Sequence, residues 1–267
     1  MSPPTIYELC RPRADVLEGR IRDEDFAADL SQVLKGTAPE LYKNPALFFA
    51  NTHPTRGLRE LFLAVVDRLT GAGSQLGSIL RLDTSYGGGK THALIGLNHI
   101  LTAADQIPNL AEFIDPARLP GQKVTVAAFD GENADPMNGR RMEGNVLAFT
   151  PWGELAVQLA GPAGYERIRN SDRLGAAPPG AETLRELIGE RPVLILIDEL
   201  SIYLRKIKGP AAGQAAEQLT PFLTDLIKAV NSSPQAVLVF TLALGKGGQA
   251  VDAYGEENQR IDRIFAE

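Results

Sequence analysis

Apolar positions fall into two rhythms along the chain. In the first they recur three and four residues apart, and the clearest case is Leu58, Leu61, Phe62, Val65, Val66 and Leu69. That spacing predicts a helix with one inward stripe, started by Thr55 as N-cap and stopped by Gly71, whose role is to pack on a sheet. A weaker copy, Phe26, Leu30, Val33 and Leu34, is broken by Gly36 and Pro39. Further helices are predicted from His92 to Leu101, from Trp152 to Leu159, from Ala181 to Ile188 after the break at Pro178-Pro179-Gly180, and from Leu200 to Arg205. Another has Thr220 as cap, Pro221 in its first turn, and Leu223, Leu226, Ile227 and Val230 facing inward. A last helical stretch covers Asn258 to Glu267.

The second rhythm is the short run. Ser78–Asp83, Lys123–Phe129, Val193–Ile197 and Ala236–Ala243 are strand-length and rich in aliphatic residues. Near-continuous apolar runs mark strands buried on both faces, which is the condition of a parallel sheet covered by helices. Strands alternating with helices make the chain an α/β protein.

The chemistry sits where these strands end. Directly after the first run comes Thr84-Ser85-Tyr86-Gly87-Gly88-Gly89-Lys90-Thr91, and directly after that a helix. Strand, glycine-rich turn and helix together read as a phosphate-binding P-loop. Glycines let successive N–H groups converge on phosphate oxygens, and the helix N-terminus adds partial positive charge. Residues Tyr86 to His92 (Tyr86, Gly87, Gly88, Gly89, Lys90, Thr91 and His92) are therefore assigned to the nucleotide. Lys90 would meet the β- and γ-phosphates and the Thr91 hydroxyl would hold Mg²⁺. The pattern places glycine where this chain has Thr84, with Gly87 and Gly88 supplying flexibility further along.

The run Val193–Ile197 ends in Asp198-Glu199. A carboxylate at the tip of a parallel strand lies where open α/β sheets bind ligands, so Asp198 is assigned to the metal shell and Glu199 to orienting and deprotonating water. The alternative is an acidic start to the helix Leu200–Arg205. The adjacent Glu favours an ATPase over a GTPase, and no Asn-Lys-x-Asp guanine motif occurs. Thr241, near the end of the last strand, is a further candidate, placed to sense the γ-phosphate. Should Glu199 fail as base, Asp130 is the next carboxylate.

Other segments read more plainly. Trp152 is the one tryptophan and is assigned to core packing. Arg140-Arg141 lies in a polar stretch, read as solvated surface against the alternative of reaching nucleic acid or a neighbouring subunit's phosphates. Arg205, Lys206 and Lys208 complement a helix C-terminus.

Composition narrows the class. The 267 residues are 44% hydrophobic and 22% charged, ordinary for a globular α/β core. A net charge of −6 makes any nucleic-acid contact local. One cysteine excludes a disulfide framework, and three scattered histidines lack metal-ligand spacing. No apolar stretch approaches the roughly 20 residues that span a bilayer, and no signal peptide is visible, so no membrane partner is expected and the expected location is cytoplasmic.

Four segments carry a resemblance: LDTSYGGGKTHALIGL, TPWGELAVQLAG, VLILIDELSIYLRK, and the amino-terminal VLEGRIRDEDFAADLSQV with FFANTHPTRGLREL. Together they resemble a bacterial family of AAA+-type P-loop ATPases, DUF499-like, encoded beside DNA methyltransferases and helicases in phage-defence clusters. Thr84 agrees with the variant loop of that family. The resemblance covers nearly all of the chain and implies the amino-terminal ATPase part of longer proteins. The fold class expected is a P-loop NTPase, AAA+-like, three-layer sandwich with a mostly parallel sheet: a helical extension over residues 1–70 and an ATPase core over 71–267, incomplete at its end. For such a sheet the order 5-1-4-3-2 is implied, and no fifth strand is found after Ala243. The first strand then has an open edge unless the extension covers it. In related ring ATPases a linker placed like Asn51–Thr55 touches the adenine, and Arg260 and Arg263 fall where an arginine finger can sit.

ATP and Mg²⁺ are the implied ligands, with a homo-oligomer formed through the ATPase core and DNA, methyltransferase or helicase as partners. The function expected is an ATP-hydrolysing module of DNA-directed phage defence. The alternative is a nucleotide-gated switch or scaffold with little turnover. A small phosphotransferase is set aside because no acceptor site or lid motif is visible.

Overall fold

The computed structural model of the chain describes residues 5–12, 14–19, 28–72, 77–82, 89–207, 215–241 and 261. On the amino-terminal side, α1 (Leu30–Leu34), α2 (Pro45–Ala50) and α3 (Arg56–Thr70) lead into β1 (Ile79–Leu82), and α4 (Lys90–Thr102) follows. β2 (Thr125–Asp130) precedes a small antiparallel ribbon, Arg140–Arg141 on Leu147–Ala148, and then α5 (Pro151–Ile168) and α6 (Ala181–Ile188). β3 (Val193–Asp198), α7 (Leu200–Lys206), α8 (Ala215–Asn231) and β4 (Ala236–Thr241) complete the order.

The four long strands form one parallel sheet in the order β1-β4-β3-β2. Among the described residues this is the expected order without its fifth member. The stretch after Ala243 and the helix expected over Asn258–Glu267 lie outside the described residues, except Ile261, which is helical and buried.

Each strand feeds two cores, because successive side chains point to opposite faces. Ile195 and Ile197 of β3 with Leu238 and Phe240 of β4 face α5 to α8, while Leu194, Leu196, Val237 and Val239 face α3 and α4. β3 and β4 are buried along their whole length, as their aliphatic runs required. The result is a sheet between two helical layers. α3 matches its predicted stripe, with Phe62, Val65, Val66 and Leu69 buried, the Thr55 hydroxyl accepting from Leu58 N and Gly71 ending it in the left-handed region. Leu30, Val33 and Phe49 join the same core as α3 and α4, so residues 30–70 build one face of the sheet. Trp152 is core, 2% exposed, its Nε1 donating to Ser171 O at 2.8 Å and its ring 5.2 Å from Phe222.

The outer edge of β2 is closed by a side chain. Gln158 on α5 accepts from Ala128 N at 2.9 Å and donates to Ala128 O at 2.8 Å, occupying backbone groups that another strand would otherwise use.

Two helices differ from their sequence reading. α8 begins at Ala215, so Pro221 lies inside it and Thr220 is a helical residue whose carbonyl accepts from the Thr224 hydroxyl. Proline forfeits one backbone bond there, but Leu219 on the turn before it and Phe222 after it are both buried, and that burial carries the helix through. α5 continues past Leu159 after a kink at Ala160 and Gly161, where Pro162 starts the second segment. In the amino-terminal pattern Asp29 caps α1, Leu34 is 39% exposed, and Phe26 lies outside the described residues.

Candidate functional site

The start of α4 is built without a capping side chain. Gly89 occupies the N-cap position at φ 77°, a left-handed conformation that glycine adopts without strain, and having no side chain it cannot cap the N–H groups behind it. Lys90 follows, 7% exposed, and then Thr91. Tyr86, Gly87 and Gly88, assigned to the phosphates, lie outside the described residues together with Asp83 to Ser85.

Thr91 and Asp198 are brought into contact across the sheet. The Thr91 hydroxyl donates to Asp198 Oδ2 at 2.7 Å, although β4 stands between β1 and β3. Thr241, at the tip of β4, donates its hydroxyl to Asp198 Oδ1. Burial pushes the Asp198 carboxyl above its usual range, and the hydroxyls of Thr241 and Thr91 oppose that rise by bonding the charged form. Thr241 therefore holds the Asp198 carboxylate from the tip of β4.

Glu199 is one of two described non-glycine residues with positive φ, at φ 49° and ψ 42°. Its N–H is shared between Asp198 Oδ1 at 3.1 Å and Thr241 Oγ1 at 3.2 Å. It occupies the N-cap position of α7, yet its side chain makes no capping bond, so the plain reading of an acidic helix start holds by position only. Burial, then the Asp198 charge, lifts its carboxyl to about 7, while Lys90 pulls the other way. Lys90, Asp198 and Glu199 are thus electrostatic neighbours. Asp130, opposite Asp198 in register, is buried and accepts from Glu132 N at 2.9 Å and Asn133 Nδ2 at 2.8 Å. Burial also raises the Glu132 carboxyl, with Asp130 adding to the effect.

Beside Lys90 opens a cavity of about 590 Å³. One wall is the Asn51–Thr55 segment with Leu58 and Leu61 of α3, and the other is Arg81 and Leu82 of β1 with the first turn of α4. His92 does not extend its ring toward Asp198. It stacks on Phe48, centroids 4.3 Å apart, and meets Thr52 Oγ1 at 2.8 Å. Thr52 spends its own proton on Phe48 O, so toward His92 it accepts, and His92 Nε2 carries the hydrogen. Burial lowers the His92 pKa, with His99 adding to the effect.

Arg140 is a correction. Its Nη1 donates to Glu154 Oε2 at 2.8 Å and the side chains are only 12% and 4% exposed, so it is a buried partner of Glu154 and not solvated surface. Glu154 on α5 required a partner once the helix buried it. Arg141 is exposed and bonded to Asn145. Lys206 donates to the carbonyls of Glu132 and Ala134, while Lys208, Arg260 and Arg263 lie outside the described residues.

Sequence reasoning missed Leu58, Leu61 and Gly131. An amphipathic stripe does not tell a cavity wall from core, and Gly131 belongs to no motif. Its signal was its place, one residue after a strand tip.

The site's donor set is made of hard oxygens, the Thr91 hydroxyl and the Asp198 carboxylate, which suits Mg²⁺. Among the described residues no group of three or more His, Cys, Asp or Glu is arranged to hold a metal. No described helix is long and apolar enough to cross a membrane. One family model, the DUF499 N-terminal domain, matches residues 7–265. No curated protein and no solved structure matches the chain.

Proposed function

This chain belongs to the DUF499 family through its N-terminal domain, and we propose that the domain is a P-loop ATPase module of AAA+ type, binding ATP with Mg²⁺ and hydrolysing it. The observation that carries the reading is the bond between Thr91 and Asp198. A hydroxyl in the first turn after Gly89-Lys90 and a carboxylate at the tip of a non-neighbouring strand have no packing reason to meet. Both are oxygen ligands for a divalent cation.

In this reading the phosphates lie at the start of α4, met by the N–H groups of its first turn and by Lys90. Thr91 and Asp198 would hold Mg²⁺, which when bound draws charge from the β- and γ-phosphate oxygens. Thr241 fixes the Asp198 carboxylate from its other side. Glu199 takes a proton from water as the water oxygen bonds the γ-phosphorus and the bond to the bridging oxygen breaks, giving ADP and phosphate. The cavity between Asn51–Thr55 and α4 is where the nucleobase and ribose would go.

The wider role, a module of bacterial DNA-directed defence that assembles through the ATPase core and works beside a methyltransferase or helicase, is supported by the family resemblance. Single-turnover hydrolysis tests the reading. Glu199→Gln should keep ATP affinity and lose about 10²–10⁴ in rate. Tight binding with no turnover in the unaltered chain would favour the nucleotide-gated switch.

A further inference from the structure

Gly131 continues the β2 ladder by one residue, its N–H donating to Asp198 O at 2.9 Å. Its φ is not positive, so glycine is not there for backbone freedom. It is there for space. A Cβ built on Gly131 would lie 2.3 Å from Glu199 O, 2.9 Å from Glu199 C and 3.1 Å from Tyr203 Cβ. The first two are backbone atoms, which cannot swing aside as a side chain can. Tyr203 is itself fixed, its ring edge-on to Phe129 with centroids 5.1 Å apart.

Glu199 is held at both ends of its peptide unit. Its N–H is bound by Asp198 and Thr241, and its carbonyl accepts Ile202 N at 3.0 Å as the first bond of α7. A left-handed glutamate costs about 1–3 kcal/mol and persists only where its surroundings enforce it. We propose that Gly131 is a positioning residue for Glu199: by carrying no side chain it admits the Glu199 carbonyl, and so permits the left-handed backbone that sets the Glu199 carboxylate beside Lys90 and Asp198. This rests on the ATPase reading. The strand tip that borders the catalytic strand thereby acts on the chemistry without touching nucleotide.

The test is Gly131→Ala in the full chain. ATP·Mg²⁺ affinity should stay within about threefold of the unaltered protein, while the single-turnover rate at saturation falls about tenfold or more. A crystal structure of the variant should show Glu199 moved out of the left-handed region. Thermal stability provides a readout independent of turnover. In a Glu199→Gly background residue 199 adopts other backbone angles freely, so adding Gly131→Ala should lower the melting temperature much less than it does alone. If Gly131→Ala alone does not fold, the double variant should restore folding. An unchanged rate overturns the proposal, as does equal destabilisation in both backgrounds, or affinity and rate lost together. Nucleotide binding absent from the unaltered chain sinks the ATPase reading itself, a result separable from all of these.

Discussion

Two helices of this protein begin in opposite ways. At the start of α5 Thr150 caps Gly153 N, and the buried Asp172 carboxylate accepts from Phe149 N, Thr150 N, the Thr150 hydroxyl and the Tyr165 hydroxyl. It sits so close that a Cβ on Gly153 would fall 2.2 Å from Asp172 Oδ1. That terminus has its anion built in. At the start of α4 a left-handed glycine stands at the cap, with no side chain to offer the N–H groups of the first turn, and a lysine follows. Both ends carry the same partial positive charge, since it comes from the backbone. One has been neutralised by folding, whereas the other is completed, in our reading, by phosphate from outside.

Removing the internal anion should have the larger effect on folding. Asp172→Ala strands several buried donors and should lower unfolding free energy by about 3 kcal/mol, read by denaturant titration. ATP affinity in the still-folded variant should not change. A loss of affinity without loss of stability would erase the contrast between the two helix ends.

A smaller effect separates the ends by pH. Glu154, also at the start of α5, is lifted from 4.5 to about 7 by burial, with Arg140 opposing. The folded state then keeps a proton that the unfolded chain has released over that interval. Its contribution to stability is complete below about 4.5 and is lost as pH rises through about 7. Stability measured from pH 5 to pH 8 should therefore fall less steeply in Glu154→Gln, by about 2–3 kcal/mol over the range. Parallel slopes would mean that the Arg140 pair keeps Glu154 ionised throughout.

The sequence made the scaffold readable because the sheet is built by unambiguous means. Val193–Ile197 and Ala236–Thr241 have no polar face to confuse the pattern, and each ends in a residue of the site, Asp198 and Thr241. The pairing of Thr91 with Asp198 followed from two motifs, each local in sequence. What stayed hidden were features set by approach rather than by type. Arg140 reads as surface until α5 brings Glu154 over it. The stacking of His92 on Phe48, 44 residues before it in the chain, leaves no mark in the loop motif. Pro221 reads as a helix start because its missing N–H is costless there, and only the burial of Leu219 shows the helix already running. The missing side chain of Gly131 has no pattern at all.

The central claim is that the open end of α4 binds the phosphates of ATP, and titration calorimetry on the unaltered chain and Lys90→Ala, with and without Mg²⁺, tests it most directly. The account predicts saturable, Mg²⁺-dependent binding that weakens by about 100-fold or more when Lys90 is removed, with the fold intact. Equal affinity in the two proteins, or no binding by the unaltered chain, would contradict it.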